Sequence, residues 1–333
     1  MGIPSIHPEQ NHHSNLLQNS SGVNQLEHLA LWFSKRQNKE IPDAIQAATV
    51  LFAADHGVAK AIGCNAPIST YERVQQASSE DSVIRDLCKQ ANCSLHIVDV
   101  GVAENLADND VIEHAKVMAS GTPDISTEAA MTQVDYWEIV GIGEEMANRT
   151  IADGANLLIA SSICSGDRIA IAALIAELIG LSPEQALAPA ADVSPDIYAS
   201  ELIAVEQALA RAKGTPSHDI LRELGGLEMA AMAGFYRAAA RKGVPVLLDG
   251  LASATAALAA IAWDVRIAGW VLASHVSSDA GHREVLKDLG LEALVELKAS
   301  IDEGKVAVLM LPVLQSAITL QQGLARIEMN SSR

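Results

Sequence analysis

The chain has 333 residues, 49% of them hydrophobic, which is enough to close a large core in one domain or in one domain with a smaller appendage. With 23 basic against 41 acidic residues its formal net charge is −18, which excludes coating of nucleic acid or anionic membrane by general electrostatic attraction. An anionic ligand would have to be held by local devices: helix N-termini, inward-turned backbone amides or a few placed cations.

Residues 1–21 are polar, rich in Asn, Ser and His, and predict an irregular arm without the apolar core of a signal peptide. Residues 22–35 carry Val23, Leu26, Leu29, Ala30 and Phe33 at helical spacing. A short apolar run with β-branched members at 47–54 predicts a strand, followed by a helical pattern over 72–91. The alternation then continues: strand 94–100, helix 134–152, strand 155–161, helices 169–179, 197–213 and 227–241, strand 244–249, helix 252–260 and strand 268–275. Two further helical patterns, 292–301 and 313–327, close the chain. Strands apolar on both faces and alternating with helices predict a doubly wound α/β domain with a parallel sheet covered on both sides. The reading is an arm over 1–21 and one α/β domain over 22–330. Segments 22–40 and 305–330 would contribute a smaller helical lobe. No uninterrupted apolar run reaches the length of a transmembrane helix, so no membrane span is expected.

Ligands of open parallel sheets bind beyond the carboxyl ends of the strands, so chemistry is sought where the apolar runs stop. Asp55-His56-Gly57 places a carboxylate and an imidazole at such an exit, or simply forms a turn. The small-residue loop 161–167 precedes a helix and is either an anion cradle containing Ser165 and Gly166 or an ordinary loop with Asp167 as N-cap. It lacks the GxxxxGK[ST] spacing of a P-loop. Gly225 and Gly226 open another helix at Glu228, and Asp249 follows a strand. His275, Ser277, Asp279 and His282 cluster at a strand end, but no GxSxG elbow supports a hydrolase. Glu303, beside Gly304 and Lys305, is a general-base candidate or a solvated helix end. The four cysteines, Cys64, Cys88, Cys93 and Cys164, form no CxxC pair. They predict reduced thiols in a cytoplasmic protein, with no metal site and no cofactor.

In sequence order these pieces resemble the nicotinate-nucleotide–dimethylbenzimidazole phosphoribosyltransferase family from about Leu26 to Ile327. Residues 223–234 (ELGGLEMAAMAG) are similar to the family's GGxEIAAMAG, and 245–250 (PVLLDG) to its PVLLDG strand. His275-x-Ser277 with Gly281-His282 resembles HxSxExGH, residues 52–58 (FAADHGV) resemble FAGDHGV, and Val98-Asp-Val-Gly-Val102 matches directly. Gly121-Thr122 and Ala130-Met131-Thr132 resemble its GT and AMT positions. The resemblance implies a homodimer acting on two small molecules, nicotinate mononucleotide and an aromatic base. Nicotinate would leave the ribose C1′ as the base nitrogen attacks the opposite face, with Glu303, at the glutamate of LGEGxGA, as general base. Substrate contacts would come from Asp55, His56, Gly57, Ser165, Gly166, Gly225, Gly226, Glu228, Asp249, His275 and Ser277.

The chain departs from that pattern at the pockets. The family's GEMGIGNTT reads here Ser161-Ser-Ile-Cys-Ser-Gly-Asp-Arg-Ile169, keeping only Gly166. Its KPPGSLG is reduced to residues 19–24, a glycine pair is replaced near Glu80-Asp81, HxSxExGH carries Asp279 in place of its glutamate, and EGxGA has become residues 303–307 (EGKVA). Two alternatives therefore stay open: an impaired or repurposed paralogue that binds a nucleotide or base, and a transferase for another azole or phenolic acceptor. Arg168, where the family has threonine, and Lys305 are expected to replace lost anion-binding groups, unless Arg168 pairs with Asp167 or Glu177.

Overall fold

The computed structural model describes residues 24–63, 68–189, 193–279, 281–297 and 303–331. The polar arm expected over 1–21 and Cys64 lie outside them. The strands are β1 (Ala47–Ala54), β2 (Cys93–Gly101), β3 (Ile112–His114), β4 (Leu157–Ile163), β5 (Val246–Leu248), β6 (Val271–His275) and β7 (Ala293–Val295). They form one all-parallel sheet in the order β3-β2-β1-β4-β5-β6-β7. The doubly wound α/β architecture predicted from the apolar runs is the one observed.

All eight residues of β1 are buried, and their side chains alternate between two cores as the period of a strand requires. Val50 and Phe52 face a core shared with the helices Gln133–Ala152, Arg168–Ile179, Leu227–Lys242 and Gly250–Trp263. Leu51 and Ala53 face the opposite core, with Phe33 of the helix Asn24–Gln37, Ile84 of Val83–Ala91, and Leu314 and Ile318 of Lys305–Ser331. The first and last helices thus lie together on one face of the sheet. Within the first core two helices approach closely through missing side chains. A Cβ on Gly143 would stand 1.8 Å from the Ala231 carbonyl oxygen, and one on Gly234 2.1 Å from that of Val140.

Three local expectations are corrected. The single helix expected over 72–91 is two, Thr70–Ser78 and Val83–Ala91. Ser82 interrupts it: its hydroxyl donates to the Ala77 carbonyl and accepts from Arg85 N, a cap that competes with helix continuation. The helix expected over 292–301 begins as edge strand β7, because pairing with β6 supplies backbone partners that local apolar spacing does not reveal; residues 298–301 lie outside the described ones. The last helix begins at Lys305 rather than 313 and carries Pro312 inside it. By length and composition its stretch Lys305–Gly323 could cross a membrane, yet 44% of it is buried in the protein, with Val306, Ala307, Leu311, Leu314 and Ile318 spent on the sheet.

The end of β6 is closed by a histidine network. The neutral His282 ring accepts the Ser277 amide at Nδ1 (3.0 Å), and the Ser277 hydroxyl donates to Asp279 (2.7 Å). The Ser274 hydroxyl donates to the Leu248 carbonyl (2.6 Å), so His275 Nδ1, 2.9 Å away, is left to donate to Ser274. Burial, reinforced by the His275 ring, lowers His282 from 6.5 to about 4.

Two predictions follow from this packing. Gly234→Ala should destabilise the fold by about 1–3 kcal/mol, the usual cost of overpacking, read as a lower urea midpoint with unchanged slope; an unchanged midpoint contradicts the close approach. For His282 the folded pKa lies below the unfolded one. Between about pH 6.5 and 4 the unfolded chain therefore binds the proton and the folded one does not, and stability is lost as pH falls, at up to about 1.4 kcal/mol per pH unit. Urea titrations should show that loss flattened in His282→Asn relative to wild type.

Candidate active site at the strand ends

The sheet order reverses between β1 and β4: the chain leaves β1 toward β2 on one side and β4 toward β5 on the other. Neighbouring strands whose connections diverge leave a crevice at their carboxyl ends. Asp55-His56-Gly57 and the loop 161–167 meet there.

Asp55 serves largely as a clamp. Its carboxylate accepts Ala103 N at 2.7 Å, its amide donates to the Gly101 carbonyl, and its carbonyl accepts Thr122 N. Gly57 N donates to the Thr122 carbonyl at 2.9 Å, so the turn fixes segment 121–122. His56 points inward. Its Nε2 lies 3.0 Å from Glu228 Oε1, with both side chains withdrawn from solvent (0% and 1% exposed). Glu228 sits in the first turn of the helix Leu227–Lys242, where the dipole favours a carboxylate. Gly226 makes the pair possible: a Cβ there would stand 2.2 Å from Glu228 Oε1 and 2.5 Å from the His56 ring. Gly225 closes the preceding helix, Ile220–Leu224, by donating to the Leu221 carbonyl. Burial pulls the His56 pKa down, but the charge and hydrogen bond of Glu228, with Asp167 and Asp55 behind them, outweigh it and raise it above 6.5. His56 Nδ1 and Glu228 Oε2 have no hydrogen-bond partner.

The loop after β4 is pinned from outside. Ser165 N donates to Thr70 Oγ1 (3.0 Å), Ser165 Oγ to the Ile68 carbonyl (2.8 Å), and Gly166 lies against Ala59. Asp167 occupies the N-cap position of the helix Arg168–Ile179 without making a capping bond. Burial raises its pKa, with Glu228 adding to the effect and His56 opposing it. The Cys164 thiol is pushed well above its usual range by burial, then by Asp167, Glu228 and Asp55.

Glu303 joins this cluster from the other end of the chain. It is buried, with backbone φ of 68°, a left-handed conformation costly for a non-glycine residue. Arg73 Nε donates to its Oε1 at 2.7 Å, Arg73 Nη1 donates to the Cys164 carbonyl at 3.0 Å, and Lys305 Nζ donates to Oε2. Asp249 holds the turn. Its two oxygens accept Gly304 N (2.7 Å), Ala307 N (2.9 Å) and the Ser161 hydroxyl (2.9 Å). Its carboxylate is fully engaged within the protein and positions Glu303. His275 and Ser277 belong to the network at the end of β6, where His275 Nε2 is buried without a partner.

The two expected compensating cations are both committed. Arg168 pairs with buried Glu201 through Nε and Nη2, each 3.2 Å from a carboxylate oxygen, and with the Ala188 carbonyl, not with Asp167 or Glu177. A carboxylate only 2% exposed requires that countercharge. Lys305 is held on Glu303. The cation that links the loop to Glu303 is Arg73, which the sequence reading missed because nothing local marks a residue inside the first turns of an ordinary capped helix. Cys164 and Asp167 were visible only as loop residues. Among the described residues, the ligand atoms of His56, Cys164 and Glu228 lie within 4.8 Å of one another. The arrangement as a whole presents a fixed carboxylate between two cations at the ends of the parallel strands.

Residues 6–330 match a family model described as phosphoribosyltransferase. A nicotinate-nucleotide–dimethylbenzimidazole phosphoribosyltransferase of Chromobacterium violaceum is 37% identical over 92% of this chain and 89% of its own length. The protein of that name from Thermus thermophilus is 34% identical over 88% of each. The crystal structure of CobT from Thermus thermophilus superposes with a TM-score of 0.85 at 32% identity, covering 91% of this chain and 92% of the other. The chain belongs to the nicotinate-nucleotide–dimethylbenzimidazole phosphoribosyltransferase family.

Proposed function

We propose that this chain transfers the 5-phosphoribosyl group of nicotinate mononucleotide to a benzimidazole-type base, giving nicotinate and the α-ribotide of the cobalamin lower ligand. The observation that carries this reading is Glu303: a buried carboxylate in a left-handed turn, fixed by Asp249 and flanked by Arg73 and Lys305 at the strand ends. As the C1′–nitrogen bond of the nucleotide breaks, its electron pair returns to the nicotinate ring and positive charge develops on the ribose. A ring nitrogen of the acceptor attacks the opposite face and becomes cationic as the new bond forms. A carboxylate at that point stabilises the transition state and then accepts the ring proton. His56 and Glu228, locked together beneath the crevice, shape its floor.

The enzyme works as a homodimer in the cytoplasm. An exposed apolar surface formed by Val134 and Trp137, with Trp137 edge-on to Trp263 at 5.4 Å, suits contact with a second copy. The free thiols Cys88, Cys93 and Cys164 suit a reducing compartment.

Incubation with nicotinate mononucleotide and a panel of azoles, followed by detection of released nicotinate, tests the reaction. Glu303→Gln should lower turnover roughly a hundredfold or more with the fold intact, the usual scale for losing a general base; turnover like wild type removes the assignment. Light scattering at micromolar concentration should give twice the chain mass of 35.1 kDa, and a monomer mass contradicts the dimer.

A further inference from the structure

We propose that His56, Cys164 and Glu228 bind a divalent transition-metal cation of the zinc class at the base of the crevice. The three side chains come from the ends of β1 and β4 and from the first turn of the helix Leu227–Lys242, and all are buried. Their ligand atoms lie within 4.8 Å of one another. A tetrahedral zinc ion, with bonds of about 2.0–2.3 Å, spaces its ligand atoms roughly 3.3–3.7 Å apart, so small rotations close the set. An imidazole, a thiolate and a carboxylate make up a mixed nitrogen, sulfur and oxygen donor set. Three such protein ligands leave a fourth position for water or substrate.

A second observation points the same way. His56 Nδ1 and Glu228 Oε2 are buried without any hydrogen-bond partner, on side chains 0% and 1% exposed. Buried polar atoms are nearly always satisfied, and two orphans on adjacent donors of one cluster call for a group the protein does not supply. Cys164 stands where the family motif has glycine, which offers no ligand atom, so the motif itself does not carry the site. Its ligands are far apart in sequence, which is why cysteine spacing predicts none.

The inference bears on the transferase reading and in that respect rests on it. This chain has lost most of the glycines of its presumed phosphate loop, and a dication beneath that loop would supply the missing positive charge. Binding itself does not depend on the reaction. Metal ligation requires the thiolate and a neutral imidazole, so binding releases the Cys164 proton and any proton carried by His56.

The test uses tag-free, full-length protein. Purified from zinc-supplemented cells and desalted, it should hold about one zinc per chain by mass spectrometry of the elements. After chelation, titration with Co²⁺ should produce a thiolate-to-cobalt charge-transfer band in the near ultraviolet. Cys164→Ser should remove the band and weaken zinc binding at least about a hundredfold. Glu228→Gln should weaken binding with the band's thiolate character kept, which guards against a serine variant that fails to fold. Far less than one zinc per chain, or a cobalt band that survives Cys164→Ser, overturns the proposal, the latter by placing the ion on other cysteines. Protein that binds zinc at Cys164 yet releases no nicotinate leaves the metal site standing and removes the transferase reading. Protein that releases nicotinate without binding zinc does the reverse.

Discussion

The carboxylate of Asp249 is the constraint on which the catalytic end of this molecule depends. It follows β5, lies 1% exposed, and bonds at once to the Ser161 hydroxyl on β4 and to two amides at the start of the last helix, Gly304 and Ala307. Although Asp249 is the N-cap of the helix Gly250–Trp263 by position, its side chain caps the other helix instead. A carboxylate at a helix N-terminus is favoured by the dipole and by free amides, and burial strengthens both. The bond to Gly304 holds the neighbouring Glu303 at positive φ, so strain at the candidate base is sustained by a group at the end of β5.

Among the described residues, charge taken into the interior is met by specific partners. The chain carries a formal −18, yet the buried carboxylates meet specific partners: Glu228 with His56, Glu201 with Arg168, Glu303 with Arg73 and Lys305. Removing an ion from water is costly, and leaving one partner unpaired in the interior costs several kcal/mol, so each pair constrains where its elements can sit. Arg73 shows the consequence. By reaching Glu303 and the Cys164 carbonyl together, it ties the loop after β4 to the turn that opens the last helix.

Small residues set how near these groups can come. The helices Gln133–Ala152 and Leu227–Lys242 pack with Gly143 against the Ala231 carbonyl and Gly234 against that of Val140, which brings the N-terminal turn of the second helix, and Glu228 with it, under the end of β1. Gly226 then leaves room for the imidazole. These contacts are van der Waals packing at close range, and the position of a buried charge follows from the absence of methyl groups around it.

The sequence by itself determined the class of fold. Runs such as 47–54, apolar but for Thr49 and with β-branched members, read as strands covered on both faces, and their alternation with helices points to a parallel, doubly wound sheet. It also determined the family, because residues 223–234 and 245–250 keep a recognisable order, and it put Asp55, Gly166 and Asp249 at strand ends, Gly226 at a helix start and Glu303 after a helix. What the tertiary structure alone decided is which groups meet. Asp249 reads from sequence as a substrate contact and is a junction. Arg168 reads as a replacement anion binder and is the counter-ion of Glu201. Arg73, unmarked by any motif, is the cation beside Glu303. The edge strand β7 likewise formed where apolar spacing pointed to helix. The physical reason is common to all of these. Local pattern fixes which face of an element is buried, whereas a charge, an edge strand or a side chain in a strained turn takes its role from partners tens to hundreds of residues away, and that pairing exists only once the sheet has closed.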